Sequence, residues 1–158
     1  MKKEEKIDPV IVTNREARRD YFILDITEAG IVLVGCEVKS LRERKASLSG
    51  SFARLEGEEL FLYNLYIAPY EMGNRENPDS KRERKLLLHR SQIEKIKAQT
   101  QEKGLAVIPL KLYFNKQGIA KVELAVAKGK KLYDKRAEIK KQSISREIDR
   151  AIKNRNRK

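Results

Sequence analysis

The chain has 158 residues but no tryptophan, one cysteine and one histidine. A single cysteine, Cys36, excludes an intramolecular disulfide, and we interpret it as a small buried apolar residue in a reducing compartment. One Cys and one His89 do not support a structural zinc site or a Cys-His nucleophile pair, so we expect His89 at a helix start or packed at the surface. These shortages predict a protein without metal or cofactor.

Long apolar segments are also missing. No run approaches the length of about 18 residues that spans a bilayer. The N-terminus, Met1-Lys2-Lys3-Glu4-Glu5-Lys6, has no apolar core behind its charges, so it does not resemble a signal peptide. We therefore expect a cytoplasmic protein that does not bind membranes.

Sequence patterns for catalysis are absent too. The glycines Gly30, Gly35 and Gly50 are isolated, so they do not form the phosphate-binding loop of nucleotide-binding enzymes. There is no Gly-x-Ser-x-Gly elbow. The carboxylates of residues 56–59 lie in a predicted turn, where solvation is the ordinary interpretation. Enzymatic activity is disfavoured.

Positive charge is what the chain has in excess. It carries 36 Lys and Arg against 23 Asp and Glu, a net charge of +13. This balance favours nucleic acid or an anionic surface as partner, and the alternative is a soluble basic protein. Residues 128–158 hold thirteen of the Lys and Arg against four acids. This segment is typical of a polyanion-binding tail.

The basic tail also has an apolar pattern. Ile144, Ile148 and Ile152 are four residues apart and would form one stripe on a helix. One thin stripe buries too little surface to offset the entropy of ordering the segment. We predict that the tail is disordered alone and helical against a partner.

Local patterns in the first half predict short helices and strands. Thr13 and Glu16 fit a capping box for a helix over 14–20, which would present Arg15, Arg18 and Arg19. The β-branched and aromatic runs 21–26 and 31–34 flank a turn-like 27–30 and predict a hairpin. The spacing of apolar residues in 35–44 predicts a short helix, and 51–55 with 60–64 predict a second hairpin.

The second half continues the pattern. Residues 66–70 predict a strand that Pro69 ends, and 71–85 predict an exposed loop whose run 81–85 either contacts phosphate or is simply solvated. A capping box at Ser91 and Glu94 predicts a helix that ends at Gly104. The strands 105–115 and 119–127 are the clearest pair, with Leu110, Leu112 and Phe114 expected on one face and Lys111, Tyr113 and Asn115 on the other.

These elements predict a mainly β fold with short helices. We expect a closed, antiparallel, OB-like barrel of about six to seven strands with flanking helices, because closure removes exposed strand edges. The alternative is an open α+β sheet. The expected organisation is a loose N-terminus over 1–10, the barrel over 11–132 and the tail over 133–158.

The basic surfaces of this body are interleaved with aromatic residues. Lys and Arg neutralise phosphates, and a tyrosine can stack on an unpaired base. A structured RNA with exposed loops therefore fits better than regular duplex DNA. No recognition helix of the helix-turn-helix type is apparent.

Four stretches together resemble the SmpB family of tmRNA-binding proteins of bacterial ribosome rescue. They are Asn14-Arg15-Glu16-Ala17-Arg18-Arg19-Asp20-Tyr21, Gly35-Cys36-Glu37-Val38-Lys39-Ser40-Leu41-Arg42, Tyr113-Phe114-Asn115 with Lys121-Val122-Glu123, and Ala127-Lys128-Gly129-Lys130-Lys131-Leu132-Tyr133-Asp134-Lys135-Arg136. Their order and spacing make the combination specific. The resemblance implies an oligonucleotide-binding barrel that grips the tRNA-like domain of tmRNA.

Charge and resemblance together give the expected RNA-binding residues. The resemblance implies that Glu37 and Lys121 belong to the RNA-binding surface, while an alternative for Glu37 is a buried pair that shapes the barrel end. The full predicted set is Asn14, Arg15, Arg18, Arg19, Glu37, Lys39, Ser40, Arg42, Arg82, Arg84, Lys85, Tyr113, Asn115, Lys121, Lys128, Gly129, Lys130 and Lys131.

The resemblance also implies a role for the tail. It is expected to become helical in the mRNA channel near the decoding centre, with small-subunit RNA as its partner. The expected contacts are Tyr133, Asp134, Lys135, Arg136, Ile144, Ile148 and Ile152. Many relatives carry His before this Asp, so Tyr133 keeps ring stacking but loses a group that titrates near neutrality.

The expected function is a monomeric, non-catalytic adaptor that brings tmRNA to stalled ribosomes. Aminoacylated tmRNA with elongation factor would be an indirect partner. The alternatives are an RNA-processing enzyme and a generic ribosomal RNA-binding protein on the same scaffold.

Overall fold

The computed structural model describes residues 10–101 and 104–156. Its strands are β1 (Val10–Thr13), β2 (Tyr21–Ile31), β3 (Ala46–Ser47), β4 (Phe52–Glu56), β5 (Glu59–Tyr63), β6 (Tyr66–Ile67), β7 (Arg84–Leu87), β8 (Leu105–Phe114) and β9 (Ala120–Gly129). Its helices are α1 (Arg15–Asp20), α2 (Gly35–Arg42), a 3-10 helix (Glu71–Glu76), α3 (Arg90–Thr100) and α4 (Leu132–Arg155). The predicted loose N-terminus lies outside the described residues except for Val10.

Seven of the strands form one antiparallel sheet. Its order is β1-β8-β4-β5-β7-β2-β9, and β9 also pairs with β8 along its whole length. On its other side, β8 pairs with two strands. Strand β4 pairs with it at Val107, and β1 pairs with it around Lys111–Tyr113. The predicted mainly β fold with short helices and a large antiparallel sheet is confirmed.

Strand β2 corrects the prediction of a first hairpin. Residues Tyr21–Ile31 form one strand, which pairs with β9 from Tyr21 to Gly30. Gly30 is not in a turn, because it pairs with Lys121 on β9 and with Leu87 on β7. The turn prediction failed because Gly30, which favours turns in an isolated sequence, is held here by two neighbouring strands.

The second hairpin is confirmed as β4 and β5. The two strands pair from Phe52 with Tyr63 to Glu56 with Glu59, and Gly57 supplies the positive φ of the two-residue turn. The predicted strand after it is also present, as the short β6. The predicted loop over 71–85 is wrong in two places, because it contains a 3-10 helix and because Arg84 and Lys85 begin β7.

Two apolar clusters hold the sheet together. The larger one includes Leu41 of α2, Leu86, Leu112 and Val122. The smaller one places Ala17 of α1 against the other face of β8 and β9. Helix α1 therefore packs outside the strands and α2 covers the main core.

A bulge in β8 corrects the predicted faces of that strand. The register shifts between Pro109 and Lys111, so Leu110 packs in the smaller cluster whereas Leu112 and Phe114 pack against the main core. Strict alternation would have placed all three on one face. On β9 the predicted core residues Val122, Leu124 and Val126 are confirmed.

The helices exist where they were predicted, but both predicted capping boxes are wrong. Helix α1 has Asn14 as its N-cap, and its amide donates to the Pro109 carbonyl instead of capping the helix. Helix α3 begins at Arg90 with His89 as N-cap, and the His89 backbone N–H donates to Oε1 of Gln92. The prediction of His89 at a helix start is confirmed. Helix α3 ends at Thr100, before Gly104, whose φ is positive.

The C-terminal segment forms the single helix α4, in which no described residue is buried. The segment is helical here without a partner chain, and helix formation on a partner stays a prediction. Local preference explains this, because Lys, Arg, Glu, Gln and Ala dominate the segment and are good helix formers. Disorder in solution stays a prediction. Within residues 10–101 and 104–156 no helix is long and apolar enough to cross a membrane.

Candidate nucleic-acid interface

The N-terminal helix and the start of α4 meet at one corner of the molecule. The backbone N–H of Lys130 donates to the Asp20 carbonyl at 2.8 Å, which brings the end of β9 against the end of α1. Arg15, Arg18, Lys128 and Lys131 are exposed around this contact. We call these four side chains the basic corner. Their arrangement suits phosphate binding because none has a described acidic partner.

Lys130, which was predicted to bind RNA, instead connects the helices of this corner. Its side chain is 9% exposed, and its Nζ donates to the Arg18 carbonyl at 3.2 Å. The same ammonium lies 4.9 Å from the Phe22 ring centroid and 3.9 Å from Glu138 of α4. These three internal contacts occupy much of the Lys130 ammonium, and its direct binding to RNA stays a prediction. Arg19 is likewise paired, with Asp20 at 3.0 Å.

A second set of polar side chains lies on the outer face of β8, β9 and β2. The strand register places Lys111, Glu123 and Glu28 in one row and Tyr113, Lys121 and Gly30 in the next. Neighbouring Glu28 and Glu123 would repel each other. Lys111 relieves this by pairing with Glu123 at 3.0 Å, and the Tyr113 hydroxyl donates to Glu28.

Tyr113 is fixed by its neighbours. Burial, followed by the hydrogen bond to Glu28, raises the pKa of the Tyr113 phenol above its ordinary value. The Lys111 ammonium lies 5.4 Å from the centre of the same ring. The phenol is therefore a neutral hydrogen-bond donor to a carboxylate throughout the physiological range, and Lys111 and Tyr113 both serve to hold the acids of this face.

Beside this face lies an open cleft of about 400 Å³. Its lining residues are Glu28, Gly30, Leu87, Leu88, His89, Gln92 and Lys121. The cleft can form because Gly30 has no side chain; a Cβ there would lie 3.2 Å from the Leu87 Cβ. It offers an ammonium, a carboxylate, an amide and an imidazole around an apolar wall. Such a set can bind a phosphate and hydrogen-bond a base edge at the same time.

Of the cleft residues, the RNA-binding prediction included only Lys121. Glu28 was hidden by the wrong hairpin, since it was read as part of a turn. Leu87 and Gln92 come from elements distant in sequence, so only the pairing of β2 with β7 brings them near Lys121. The available signal in the sequence was the period of two in Phe22, Leu24, Ile26 and Glu28, which places these residues on one face of a continuous strand.

Glu37, which the resemblance placed at the RNA surface, lies in the interior. It is 3% exposed and accepts hydrogen bonds from the buried Arg84 and from Arg82. The Nη1 atom of Arg84 donates to the Leu65 carbonyl at 2.6 Å, and its Nη2 donates to Ser80. Burial lowers the pKa of the Arg84 guanidinium, while Glu37 opposes that shift. Glu37 and Arg84 therefore form a buried pair, as in the alternative interpretation of Glu37, and their contact with RNA stays a prediction.

Other predicted contacts also have internal partners. Ser40 is buried, and its hydroxyl donates to the Ala68 carbonyl at 2.6 Å. Asn115 accepts hydrogen bonds from the backbone of Gln117 and Ile119, which closes the β8–β9 turn. Lys85 pairs with Glu59 at 2.7 Å. Gly129 is exposed at the end of β9, next to the basic corner.

The exposed cations of α2 lie far from the basic corner. Lys39 and Arg42 are exposed, and the Lys39 ammonium lies 5.5 Å from the Tyr70 ring centroid. Helix α1 immediately precedes β2 and α2 follows it, so the two helices lie at opposite ends of an 11-residue strand. At roughly 3.3 Å per residue, such a strand spans about 35 Å. The predicted cations therefore form two separate regions and not one continuous patch.

The predicted tail contacts are accessible along α4. Tyr133 is 81% exposed, and Ile144, Ile148 and Ile152 are each about half exposed on the helix. Asp134 and Lys135 are partly covered near the basic corner, whereas Arg136 is exposed. The isoleucine stripe is thus present as predicted and has no apolar surface against it among the described residues.

Comparison with known proteins gives matches over nearly the whole chain. The model of the SmpB protein family matches residues 11–154. The SsrA-binding protein of Pelotomaculum thermopropionicum is 57% identical over 148 residues, which cover 94% of this chain and 96% of that protein. The SsrA-binding protein of Desulforudis audaxviator is 57% identical over 146 residues, which cover 92% and 95%.

A solved structure is similar as well. It is described as "tmRNA-SmpB: a journey to the center of the bacterial ribosome", and it superposes with a TM-score of 0.69 at 51% sequence identity. The superposition covers 83% of this chain and 94% of that one.

Proposed function

The chain belongs to the SmpB protein family, and on that premise we propose that it is a non-catalytic adaptor that binds the tRNA-like domain of tmRNA and delivers it to stalled ribosomes. The observation that carries the proposal is the 57% identity to an SsrA-binding protein over 94% of the chain. The solved structure of a tmRNA-SmpB ribosomal complex, similar over 83% of the chain, supports tmRNA and the ribosome as partners.

The scaffold of this adaptor is an OB-like closed barrel. The ring runs β8-β4-β5-β7-β2-β9 and returns to β8, which supports closure. In such folds a face and its adjoining loops bind oligonucleotides. The protein acts where ribosomes are, in the cytoplasm.

RNA recognition is divided between two regions of the body. The cleft around Lys121 binds nucleotides of tmRNA, and the basic corner neutralises phosphates. Support comes from the exposed cations of the corner, which have no acidic partner among residues 10–101 and 104–156, and from the mixed donors and acceptors of the cleft. Helix α4 extends from the corner and engages the decoding centre and mRNA channel with Tyr133, Arg136 and the isoleucine stripe.

Substitution of Lys121 tests the role of the cleft. Lys121→Ala should weaken binding of the tRNA-like domain and lower the slope of log K against log salt by about one, because one phosphate loses its partner. Lys116→Ala is the matched control, since Lys116 is an exposed cation in the β8–β9 turn. An unchanged slope for Lys121→Ala would place that side chain outside the interface.

The alternative of an RNA-processing enzyme predicts a different outcome. Labelled tmRNA incubated with the full chain, with and without divalent metal, should stay intact and bound. Cleavage would refute the adaptor. A generic ribosomal protein would bind ribosomes without tmRNA, so tmRNA should be enriched among the RNAs that co-purify with the chain from cells.

A further inference from the structure

The outer face of the β4–β5 hairpin carries a group of aromatic side chains that no part of the proposed function uses. Phe52 and Tyr63 are cross-strand partners whose ring centroids lie 5.3 Å apart at an interplanar angle of 8°. Arg54 and Phe61 form the next pair on the same face, and the Arg54 guanidinium lies 5.0 Å from the Tyr63 centroid. We call these four side chains the aromatic platform.

The platform is bounded by two clefts. One, of about 310 Å³, lies between Phe52 and α1 and is lined in part by Asn14, Glu16 and Ser51. The other, of about 330 Å³, lies between Phe52 and the first residues of β8. Both exist because β4 pairs with β8 only where Ala53 meets Val107, so the strands diverge on either side. Phe52, 37% exposed, forms the ridge between the clefts.

We propose that the aromatic platform is a binding site for single-stranded RNA, in which one base stacks on Phe52 and its neighbour enters the cleft beside α1. Flat aromatic rings with an adjacent guanidinium are the usual surface for unpaired bases. The Asn14 amide donates to the Pro109 carbonyl and the Ser51 hydroxyl donates to the Leu48 carbonyl. The exposed Glu16 carboxylate receives only a long hydrogen bond from the Ser49 hydroxyl, at 3.5 Å, so it can accept from the amino group of a base edge.

The position of the platform selects RNA as its occupant. One wall of the cleft is α1, whose other side carries Arg15 and Arg18 of the basic corner. A strand whose phosphates contact that corner can therefore continue over Phe52. The inference therefore rests on the proposed function, because it requires RNA to be bound at the basic corner.

Charge also limits the part of the platform that RNA can occupy. The far end of the hairpin carries Glu56, Glu58 and Glu59, which would repel phosphates. Arg54 is paired with Glu56 at 3.4 Å, so it contributes its flat guanidinium and not a free charge. RNA is thus confined to the Phe52 end of the platform.

The absence of tryptophan from the chain provides a direct test. Phe52→Trp in the full chain introduces a single fluorophore whose emission a stacked base should quench when a short oligoadenylate is added. Tyr66→Trp is the matched control, because Tyr66 has a similar exposure and lies on the separate β3–β6 pair. Quenching of the first variant alone supports the proposal; no quenching at saturating RNA overturns it.

A second pair of variants separates stacking from folding. Phe52→Leu keeps the apolar cover but removes the ring, and should weaken oligoadenylate binding by about tenfold. Phe52→Tyr should bind as the unsubstituted chain does. If Phe52→Leu binds oligoadenylate normally, or if Phe52→Trp responds to ribosomal proteins but not to RNA, the platform is not an RNA site.

Failure of the platform and failure of the proposed function give different results. If the unsubstituted chain does not bind the tRNA-like domain of tmRNA, the proposed function is wrong. If it binds that domain, but Phe52→Leu binds oligoadenylate normally and Phe52→Trp shows no quenching, only the platform proposal is wrong.

Discussion

Glu37 joins α2 to the segment that leads into β7. Its carboxylate forms ion pairs with Arg82 and Arg84. One carboxylate oxygen also accepts a hydrogen bond from the Val34 backbone N–H at 3.1 Å, at the start of α2. Two buried or half-buried guanidinium groups are stable here because each finds a carboxylate and carbonyl oxygens. A carboxylate in the α2 motif is thus required by the fold, even though it does not face solvent.

Removing the Glu37 charge should destabilise the protein strongly. Glu37→Gln leaves Arg84 buried without its counter-ion and should lower the free energy of unfolding by about 3–5 kcal/mol. Urea unfolding followed by circular dichroism measures this. Glu59→Gln is the control, because the Glu59–Lys85 pair is about half exposed and should contribute about 1 kcal/mol or less. Equal effects of the two substitutions would contradict the buried-pair interpretation.

At the scale of elements, Asp25 connects β2 to α3. The Lys95 ammonium lies 2.8 Å from its carboxylate, and Gln99 donates to the same group. The hydrogen bond from Lys95 is the main cause that lowers the pKa of Asp25. A lowered pKa in the folded state gives stability that is present above the unfolded-state pKa and is lost as the pH falls through the folded-state pKa.

The Asp25 contact therefore predicts a pH dependence. Asp25→Asn should be less stable than the unsubstituted chain at neutral pH. The difference should shrink as the pH falls from about 4, the ordinary pKa of an Asp in the unfolded chain, towards the lowered folded-state pKa. Thermal unfolding across this pH range measures it. Asp149→Asn on the exposed α4 should show no such convergence. A difference that is constant with pH would mean that Asp25 acts through packing alone.

Lys130 connects two helices in the same way that Asp25 connects a strand and a helix. Because its ammonium contacts α1, Phe22 and Glu138, it fixes the direction in which α4 leaves the body. Lys130→Ala should therefore broaden the distance distribution between spin labels on Cys36 and on an Ile152→Cys substitution. Lys131→Ala removes the same charge from the adjacent exposed residue and should leave the distribution unchanged. The opposite ranking would show that general charge, and not this contact, orients α4.

Most elements could be predicted from local sequence, but their pairing could not. The β4–β5 hairpin and the β8–β9 pair have strong local signals, because each is closed by a tight turn with a glycine. Strand β2 was divided wrongly because its end is stabilised by β7 and β9, which lie 50 or more residues away. The β8 bulge has no local signal, so Leu110 was assigned to the wrong face.

At the scale of the whole molecule, the same limit applies to the site. Charge density located α1, Lys128, Lys131 and α4 correctly as exposed cations, because a basic run without nearby acids stays in solvent. It did not reveal the burial and internal partners of Arg84 and Lys130, because these depend on contacts between distant elements. The Lys121 cleft arises only where β2, β7 and α3 meet. Sequence therefore indicates the partner class directly, whereas the arrangement of the candidate residues requires the fold.

The distribution of charge between body and tail leads to a prediction about their division of labour. Residues 133–158 carry ten Lys and Arg and four acids, so they supply +6 of the net charge of +13. Removing them should reduce non-specific, salt-dependent RNA binding. The cleft and the basic corner lie outside this segment. The truncated chain should therefore bind the tRNA-like domain of tmRNA almost as well as the full chain does, while tagging on stalled ribosomes is abolished.

A variant that keeps every charge separates the effect of the isoleucine stripe from the effect of the positive charge of the tail. Replacing Ile144, Ile148 and Ile152 together by alanine keeps all charges and raises helix propensity, so it removes only the apolar stripe. If the stripe docks in the ribosome, this variant should bind tmRNA normally and still fail in tagging. Normal tagging would show that charge alone operates in the tail. Loss of tmRNA binding on truncation would contradict the division between body and tail, because it would place part of the tmRNA site on α4.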